Sequence, residues 1–488
     1  MALSREQIVE GLENLLGADR VITDEKVLKE SSLDRYRKFE QTHEVYTQPI
    51  PAAVVYVNST EEVREVMVFA NENKINIVPR TGQSAIEGGL ETAALNSIVV
   101  DGSGMNKILK VDKYNMQVTC QCGVPLQDMD DMLREQGYTT GHSPQSKPLA
   151  QMGGLVATRS IGQFSTLYGG IEDMVVGLEA VFPNGEICRI KNVPRRAAGP
   201  DIRHIITGNE GALCFITEVT VKLFKYQPEN NVFLGYTIDD MKKGFNVLRD
   251  VMAEGYKPSI ARLYDAADAS LHFDWSGDSN VLIFMAEGPA AIAKATADGI
   301  EAIISKLEGV NAVDPKIIEK WFAGLNWGPE EIAEEKEEIL ATNNIGITTE
   351  VSGCWDCIYE IYDNACRRVL EEVPDMTLMG GHSSHSYING TNMYFVYYYN
   401  VVDCTPEEEI NKYHNQINRI ICEEVIKYGG SIVHHHGLGK ARAHYVWEEY
   451  GSSFYMLETL KKAFDPNNIM NMGTLIPIKH NDKNPWEF

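Results

Sequence analysis

Three clusters of residues in this sequence could do chemistry on a small molecule. The first is a triple histidine at residues 434–436, the second contains His382 and His385, and the third contains Arg262. An imidazole can take a proton from a hydroxyl group because its unperturbed pKa of roughly 6.5 lies near neutral pH. A planar guanidinium can grip a carboxylate or phosphate with two parallel hydrogen bonds. Together these side chains suit proton abstraction from a hydroxylated, anionic substrate.

Two glycine-rich stretches could hold a ligand beside these clusters. Residues 153–160 are Gly-Gly-Leu-Val-Ala-Thr-Arg-Ser, and glycine lets main chain press against a flat, rigid group. Residues 78–89 place a loop with three glycines after a strand, where several N–H groups can face the oxygens of a pyrophosphate. We interpret the bound group as a flavin. Neither stretch matches the GxGxxG or Walker patterns, so no nicotinamide Rossmann site is predicted.

Several spaced motifs resemble the PCMH-type FAD-binding domain of the vanillyl-alcohol oxidase superfamily. They are Arg80-Thr-Gly-Gln-Ser with Gly88-Gly89, Gly153-Gly154, Tyr168-Gly169, Glu172-Asp173, Gly208-Asn-Glu-Gly211 and Ile216-Thr-Glu218. Within this superfamily, residues 153–222 are similar nearly end to end to the alkylglycerone-phosphate synthase-like, FAD-linked oxidase C-terminal branch. The similarity extends with gaps from about residue 50 to residue 480.

The resemblance implies that FAD is bound with its pyrophosphate between the two glycine-rich loops. Relatives that tether FAD covalently through the first loop use a histidine there, whereas this chain has Ser84, so we predict non-covalent FAD. The residues implied to bind the cofactor are Pro79, Arg80, Thr81, Gly82, Gln83, Ser84, Gly88, Gly89, Pro144, Gly153, Gly154, Ala157, Thr158, Ser160, Glu210, Gly211, Ile216 and Asn471.

The resemblance also suggests roles for the reactive clusters. His-His-His-Gly-x-Gly, which begins at residue 434, matches the branch's histidine motif beside the flavin. Tyr394 lies on a strand that matches the one with an active-site tyrosine, and Arg262 lies where the branch has an active-site arginine. For Arg262 the alternative is an ordinary salt bridge in the second domain. The predicted catalytic residues are His434, His435, His436, Tyr394, Arg262 and His385.

Metal binding is the main alternative for the histidines. His382, His385 and members of the triple histidine could ligate a divalent ion, and inert core histidines are a third interpretation. If residues 434–436 form a strand, His434 and His436 face one side and His435 the other, so they cannot be three equivalent ligands. Flavin chemistry itself needs no metal. We therefore predict no metal.

Alternating strand and helix patterns before residue 225 predict an α/β unit, and the composition changes after Tyr226. We predict an α+β protein with three parts. The resemblance implies that residues 1–225 form a PCMH-type FAD-binding domain of two α/β subdomains, with a lead-in at 1–50. The strand and helix patterns of residues 226–430 predict a cap domain, a β-sheet covered by helices on one face. Residues 431–488 resemble the superfamily's closing segment, which implies that they return to the flavin.

Composition limits the partners. The chain has 44 basic and 69 acidic residues, a net charge of -25, so a binder of nucleic acid or anionic membranes is not expected. No apolar run approaches the roughly 18 residues of a membrane span, and the first residues lack the apolar stretch of a signal peptide. We predict a cytoplasmic protein with no integral membrane segment.

We expect an FAD-dependent oxidoreductase that transfers a hydride to flavin N5. Its substrate would be a small hydroxylated anion, such as a 2-hydroxy acid, or a sugar-derived alcohol. One alternative is the synthase reaction, a non-redox exchange of an acyl chain for a fatty alcohol on FAD, although the end at Phe488 is unlike a peroxisomal tail. Another is an electron-carrying flavoprotein. The acceptor could be oxygen, a quinone or an electron-transferring flavoprotein, and we expect a homodimer.

Overall fold

The computed structural model describes residues 3–478, whose first sheet is built around three parallel strands. The strand order is β1-β2-β4-β3, and only β1 is antiparallel to its neighbour. Val54, Val55, Val99 and Val100 are almost fully buried, as expected for parallel strands covered on both faces. The strands are β1 (Val21–Ile22), β2 (Ala53–Tyr56), β3 (Ile77–Arg80) and β4 (Ile98–Asp101).

The second sheet is antiparallel and packs beside the first. Its order is β5-β6-β10-β8-β9, and β7 and β11 form a separate small pair. Phe215, at the start of β10, is buried in the core that the first sheet forms. The strands are β5 (Ile108–Asp112), β6 (Gln117–Gln121), β7 (Tyr138–Thr139), β8 (Val175–Val181), β9 (Ile187–Ile190), β10 (Phe215–Lys222) and β11 (Phe224–Lys225).

Nine helices accompany these two sheets in the described part of the chain. Ser59 accepts a hydrogen bond from the backbone N–H of Glu62 and so caps α4, as its position before an amphipathic run predicts. The helices are α1 (Arg5–Leu16), α2 (Glu25–Glu30), α3 (Lys38–Thr42), α4 (Thr60–Asn73), α5 (Leu126–Arg134), α6 (Met152–Ala157), α7 (Ser165–Tyr168), α8 (Ile171–Met174) and α9 (Arg203–Ile206).

A seven-stranded antiparallel sheet forms the centre of the cap. Its order is β15-β12-β14-β13-β17-β18-β16. Side chains alternate between its faces, so Leu282 and Phe284 of β14 join a different core from Val281 and Ile283. The strands are β12 (Val232–Ile238), β13 (Ile260–Tyr264), β14 (Asn280–Ala286), β15 (Val310–Val313), β16 (Asn344–Cys354), β17 (Met376–Ser383) and β18 (Gly390–Asn400).

The longer cap helices cover one face of this sheet, and the other face also carries helices. Phe273, which follows the C-terminus of α11, and Ile318 of α13 pack on that other face together with Phe164 of the FAD-binding half. The helices are α10 (Met241–Ala253), α11 (Ala266–His272), α12 (Ala290–Ile304), α13 (Pro315–Phe322), α14 (Pro329–Thr342), α15 (Ile358–Glu372), α16 (Pro406–Lys412), α17 (His414–Tyr428), α18 (Val446–Tyr450) and α19 (Phe454–Phe464). Among residues 3–478, no helix combines the length and apolarity that a bilayer crossing requires.

The C-terminal segment runs back to the first sheet. The N–H of Ile77 donates to the carbonyl oxygen of Ile469 at 2.6 Å, and the N–H of Asn471 donates to that of Ile77 at 2.7 Å. Residues 469–471 therefore lie beside β3, the strand that leads into the first glycine-rich loop. Residues 479–488 of the predicted third part lie outside the described residues, and the domain boundaries stay predictions.

Candidate active site

A cavity of about 450 Å³ lies between the glycine-rich loops and the cap sheet. All residues predicted to bind the cofactor line it except Gly88 and Asn471. Of the predicted catalytic residues, His434 alone is absent from its lining, and the remaining ones are Arg262, His385, Tyr394, His435 and His436. The structure thus brings together residues from both halves of the chain.

The first glycine-rich loop presents main-chain donors to this cavity. The amide N–H groups of residues 82–89 have no hydrogen-bond acceptor within residues 3–478. Gln83 has a φ of 54°, a left-handed conformation that helps successive amides converge. A Cβ atom at Gly82 would overlap the carbonyl oxygen of Leu149 and lie 2.8 Å from the nitrogen of Gln151, so only glycine fits there.

The second glycine-rich stretch is not a loop throughout, because residues 153–157 lie in α6, and this helix packs closely against the first loop. A Cβ added at Gly154 would lie 3.0 Å from the hydroxyl oxygen of Thr81, and one at Gly153 would lie 2.6 Å from Cβ of Cys122. Four buried side-chain atoms of the cavity lining have no partner in the described chain: Thr81 Oγ1, Gln151 Oε1 and Gln163 Oε1 on the side of the loops, and Arg262 Nε on the side of the cap. Unpaired amides beside orphaned polar atoms call for a polar ligand, because buried polar groups are nearly always hydrogen-bonded. These residues therefore fit the pyrophosphate and polar groups of FAD.

Some of the predicted cofactor residues support the loops through their side chains. Arg80 forms an ion pair with Asp101 at 2.8 Å, and Asn471 donates from Nδ2 to the carbonyl oxygens of Gly89 and Glu210. The carboxylate of Glu210 accepts hydrogen bonds from the N–H groups of residues 438 and 439, just after the triple histidine. Burial raises the pKa of Glu210 to about 7. These contacts tie the C-terminal segment to the cofactor loops.

The triple histidine is held by a carboxylate that sequence reasoning missed. Glu350 of β16 is fully buried and accepts hydrogen bonds from the N–H groups of His434, His435 and His436, at 2.6, 3.1 and 2.8 Å. The expectation of a strand at 434–436 is wrong, because these amides bond to one carboxylate and the chain bends around it. His435 and His436 consequently face the cavity together.

Two further charged residues complete this anchor. Arg442 lies 2.7 Å from Glu87 and 3.5 Å from Glu350, and it donates to the carbonyl oxygen of Glu350 at 2.9 Å. All three side chains are almost fully buried. One feature of the sequence could have indicated this anchor, namely the position of Glu350. It is the only acid on a strand face that otherwise presents Asn344, Gly346, Thr348 and Ser352.

The histidine rings form a connected network. Nδ1 of His435 lies 2.8 Å from Nδ1 of His434, and Nε2 of His436 lies 3.2 Å from the hydroxyl of Tyr394. His385 is hydrogen-bonded through Nδ1 to the hydroxyl of Ser165 at 2.8 Å. Burial lowers the pKa of His434 to about 3, and it lowers the pKa values of His385 and His435 well below the usual range. These three imidazoles are therefore neutral at pH 7.

Tyr394 and Arg262 occupy the cap side of the cavity. Tyr394 accepts a hydrogen bond from Thr348 at 3.2 Å, and its ring stacks on His382 with centroids 4.9 Å apart. Burial raises the pKa of Tyr394 to about 12, so the hydroxyl keeps its proton at neutral pH. Arg262 donates to the hydroxyl of Tyr264 at 2.5 Å, but its buried Nε has no partner and no carboxylate pairs with it among the described residues.

Three imidazoles are close enough to be considered as metal ligands. Nitrogen atoms of His385, His434 and His435 lie within 4.8 Å of one another. The 2.8 Å between the Nδ1 atoms of His434 and His435 suits a shared proton, since two nitrogens on one zinc at roughly 2.0–2.1 Å in tetrahedral geometry stand farther apart. His382, in the alternative ligand set, is instead hydrogen-bonded to Asp268 at 2.5 Å.

Across the cavity, unpaired amides face an arginine, a tyrosine and several neutral histidines. This arrangement is typical of one class of protein, the flavin-dependent oxidoreductases, here with an α+β fold. More particularly, the chain belongs to the FAD-linked oxidase family. Residues 51–191 match the FAD binding domain, and residues 227–475 match the C-terminal domain of FAD linked oxidases. The protein is thus an FAD-dependent oxidoreductase and its cofactor is FAD.

Known proteins similar to the chain agree with this assignment. It is 65% identical over 483 residues to the uncharacterized FAD-linked oxidoreductase YgcU of Escherichia coli (strain K12), covering 98% of this chain and 100% of that one. Alkyldihydroxyacetonephosphate synthase of Dictyostelium discoideum is 27% identical, with 90% and 76% covered. D-lactate dehydrogenase [cytochrome] 1 of Saccharomyces cerevisiae is 24% identical, with 98% and 81% covered.

Solved structures share the fold. An alkyldihydroxyacetonephosphate synthase has a TM-score of 0.78 at 22% identity, covering 98% of this chain and 85% of that one. A 4-ethylphenol oxidase from Gulosibacter chungangensis has a TM-score of 0.79 at 13% identity, with 98% of each chain covered. The prediction of an α+β fold of the PCMH type is confirmed.

Proposed function

We propose that this enzyme oxidises the hydroxyl-bearing carbon of a small anionic substrate, either a 2-hydroxy acid or an acidic sugar-derived alcohol. The observation that carries the proposal is Arg262. A half-buried guanidinium whose Nε is itself buried and unpaired among residues 3–478, at the edge of a cavity, favours an anion as its ligand, because a charge partly removed from water is stabilised by an opposite charge. The substrate carboxylate or phosphate supplies that anion. When bound, FAD supplies the acceptor for the hydride that leaves the substrate carbon.

His435 is the base of this proposal. Nδ1 of His435 lies 2.8 Å from His434 and 3.5 Å from the carboxylate of Glu350, which can only accept. The ring proton is therefore favoured on Nδ1, which leaves the lone pair on Nε2. The side chain of His435 lines the cavity, and its Nε2 has no hydrogen-bond partner among residues 3–478. The imidazole of His435 is neutral at pH 7. It can therefore take the hydroxyl proton of the substrate.

Tyr394 positions the oxygen that loses this proton. Its hydroxyl stays protonated and lies 3.2 Å from both Thr348 and His436, so its direction is defined from two sides. Holding the substrate oxygen and carbon in one orientation is the larger part of such catalysis. The names of relatives agree with the substrate class, since one is a D-lactate dehydrogenase and lactate is a 2-hydroxy acid.

The synthase reaction is the second candidate, favoured by the alkyldihydroxyacetonephosphate synthases among the relatives and structures. A fatty chain needs an apolar path to the reacting atoms. The cap wall of the cavity presents Arg262, Thr348, His382, Ser384 and Tyr394, and it also includes the apolar residues Trp327, Ile347 and Val396. The five polar residues of this wall support a small hydrophilic substrate. The electron acceptor, the homodimer and the cytoplasmic location stay predictions.

The test is anaerobic mixing of the FAD-loaded enzyme with a panel of 2-hydroxy acids and sugar acids while the flavin absorbance is followed. We expect one compound to bleach the flavin. His435→Ala and Tyr394→Phe should keep FAD and slow bleaching by about 10²–10⁴-fold, the usual contribution of general acid–base groups. His204→Ala, at a half-exposed histidine outside the cavity, is the matched control and should behave as the wild type.

Two results would contradict the proposal. The first is no bleaching by any compound together with exchange of an acyl chain for a fatty alcohol, which would establish the synthase reaction. The second is loss of FAD from both variants, which would make the two side chains structural. The same rates measured after dialysis against a chelator separate an imidazole base from a metal: we expect them to be unchanged.

A further inference from the structure

A tyrosine outside the cavity contacts the triple histidine from the protein surface. Tyr387 lies in the connection between β17 and β18 and is half-buried, and the next residue, Ile388, is 74% exposed. Its hydroxyl lies 2.8 Å from Nε2 of His434. Neither Tyr387 nor His434 lines the cavity, so neither can touch a substrate there. Both are connected to it through His435.

The three side chains form an unbroken hydrogen-bonded row. Nδ1 of His435 meets Nδ1 of His434 at 2.8 Å, and Nε2 of His434 meets the hydroxyl of Tyr387 at 2.8 Å. With the proton of His435 on Nδ1, His434 must accept at Nδ1 and carry its own proton on Nε2, which it donates to Tyr387. With the proton of His435 on Nδ1, both hydrogen bonds are therefore satisfied.

We propose that His435, His434 and Tyr387 form a proton relay that carries the substrate's hydroxyl proton from the cavity to solvent. This proposal rests on the proposed oxidation. Of these three residues, only His435 touches the substrate. His434 and Tyr387 are positioning residues, because they act on the proton only through His435. Buried imidazoles with neighbours of this kind are not expected to retain a proton, so one arriving at His435 is passed on.

The transfers balance. The substrate's O–H bond breaks, its proton bonds to Nε2 of His435, and its electron pair forms the second bond of the carbonyl. The C–H bond breaks as well, and its hydrogen would leave with both electrons as the hydride that bound FAD would accept. The Nδ1 proton of His435 moves to Nδ1 of His434, and the Nε2 proton of His434 moves to the oxygen of Tyr387. The original hydroxyl proton of Tyr387 goes to water. One proton enters the row, one leaves, and the rings end neutral in the opposite tautomer.

The other hydrogen-bonded row at this site leads inward. Tyr394 meets His436 at 3.2 Å, and Nδ1 of His436 meets Glu87 at 3.4 Å. Glu87 is 2% exposed and is paired with Arg442, which is 1% exposed. A proton sent along this row would stop at a buried ion pair. By contrast, Tyr387 stands near the surface pair of Arg159 and Glu172, whose carboxylate contributes, after burial, to raising the pKa of Tyr387.

The test compares proton release with flavin bleaching in one stopped-flow experiment, using a pH indicator and the 2-hydroxy acid that bleaches the wild type. We expect the two signals to coincide in the wild type. In Tyr387→Phe, proton release should lag bleaching at least tenfold, and added imidazole buffer should shorten the lag by accepting the proton directly. Ile388→Ala, the exposed neighbour, is the control and should show no lag. Coincident signals in FAD-loaded Tyr387→Phe would overturn the relay.

A second measurement uses the wild-type enzyme, so it requires no substrate and no variant. Nitrogen-15 NMR of histidine-labelled, FAD-loaded enzyme reports which ring nitrogen carries the proton. The relay requires the Nδ1–H tautomer on His435 and the Nε2–H tautomer on His434, and the reverse assignment overturns it. If no compound bleaches the flavin, the proposed oxidation fails on that result alone, while the tautomers still decide whether the row is ordered for outward transfer.

Discussion

The two walls of the cavity present different groups to a ligand. On the FAD-binding side, the loop of residues 82–89 offers amides, and glycines set how closely main chain can approach. The cap side presents the side chains of Arg262, Tyr394, His435 and His436, to which we assign recognition of the substrate. The first wall is defined by shape and the second by charge and protonation. A cofactor shared by a family can be held by backbone, whereas the choice of substrate is left to a few replaceable side chains.

The largest expected effect comes from a substitution in the loop of residues 82–89, which supplies the main-chain wall of the cavity. Gly82→Ala should remove FAD from the purified protein, because the new Cβ would overlap the carbonyl oxygen of Leu149, which is main chain and cannot rotate away. We expect FAD content to fall at least tenfold. Gly324→Ala is the control outside the cavity lining, since a Cβ there comes no closer than 3.8 Å to a neighbouring atom, and it should keep FAD. Equal FAD content in both variants would show that approach distance is not what the loop provides.

A smaller effect should follow from changing the charge on the cap wall. Arg262→Ala should retain FAD but lower kcat/KM for the 2-hydroxy acid by about 100-fold, mostly through KM, as expected for a charge-assisted hydrogen bond of roughly 1.5–3 kcal/mol. Arg262→Lys should recover only part of this, because an ammonium lacks the planar fork. The uncharged alcohol analogue, in which the carboxylate is replaced by a methyl group, should lose little. An equal loss for acid and alcohol would mean that Arg262 does not bind the anion.

The smallest expected effect concerns the free energy of unfolding, and it tests whether a buried ionisable group of the cap outside the cavity lining contributes to it. Burial raises the pKa of Glu409 in the cap core to about 7, and its Oε2 has no hydrogen-bond partner among residues 3–478. The folded state therefore binds this proton more tightly than the unfolded state. Its stabilising contribution is complete below pH 4.5 and is lost as the pH rises through 7. Glu409→Gln, which resembles the protonated acid, should exceed the wild type at pH 8 by on the order of 1–3 kcal/mol.

Thermal unfolding at pH 5 and pH 8 measures this difference. At pH 5 the variant and the wild type should unfold at similar temperatures, and at pH 8 the variant should unfold at the higher one. Glu10→Gln, on the exposed face of α1, is the control and should match the wild type at both values. A variant less stable than the wild type at pH 8 would indicate a charged, well-solvated Glu409.

The two walls also differ in how far sequence predicts them. The glycine loops are local patterns, and nearly all of their predicted residues line the cavity. The α+β fold followed from the same regularity of strands and helices. The anchor of the triple histidine was missed, because Glu87, Glu350 and Arg442 are distant in sequence and only the folded chain brings them together. The strand expected at 434–436 was wrong for the same reason: no local pattern reveals that a remote carboxylate will bind three successive amides.

The pairing of Ile77 with Ile469 and Asn471 has a consequence for how the enzyme is made. The strand before the cofactor loop leaves the ribosome long before its partner does. Asn471 donates to both Gly89 and Glu210, so it fastens the loop to the segment behind it only once residues 469–471 have been made. We therefore expect stable capture of FAD to require residues 469–471, and chains cut before them to accumulate as apoprotein.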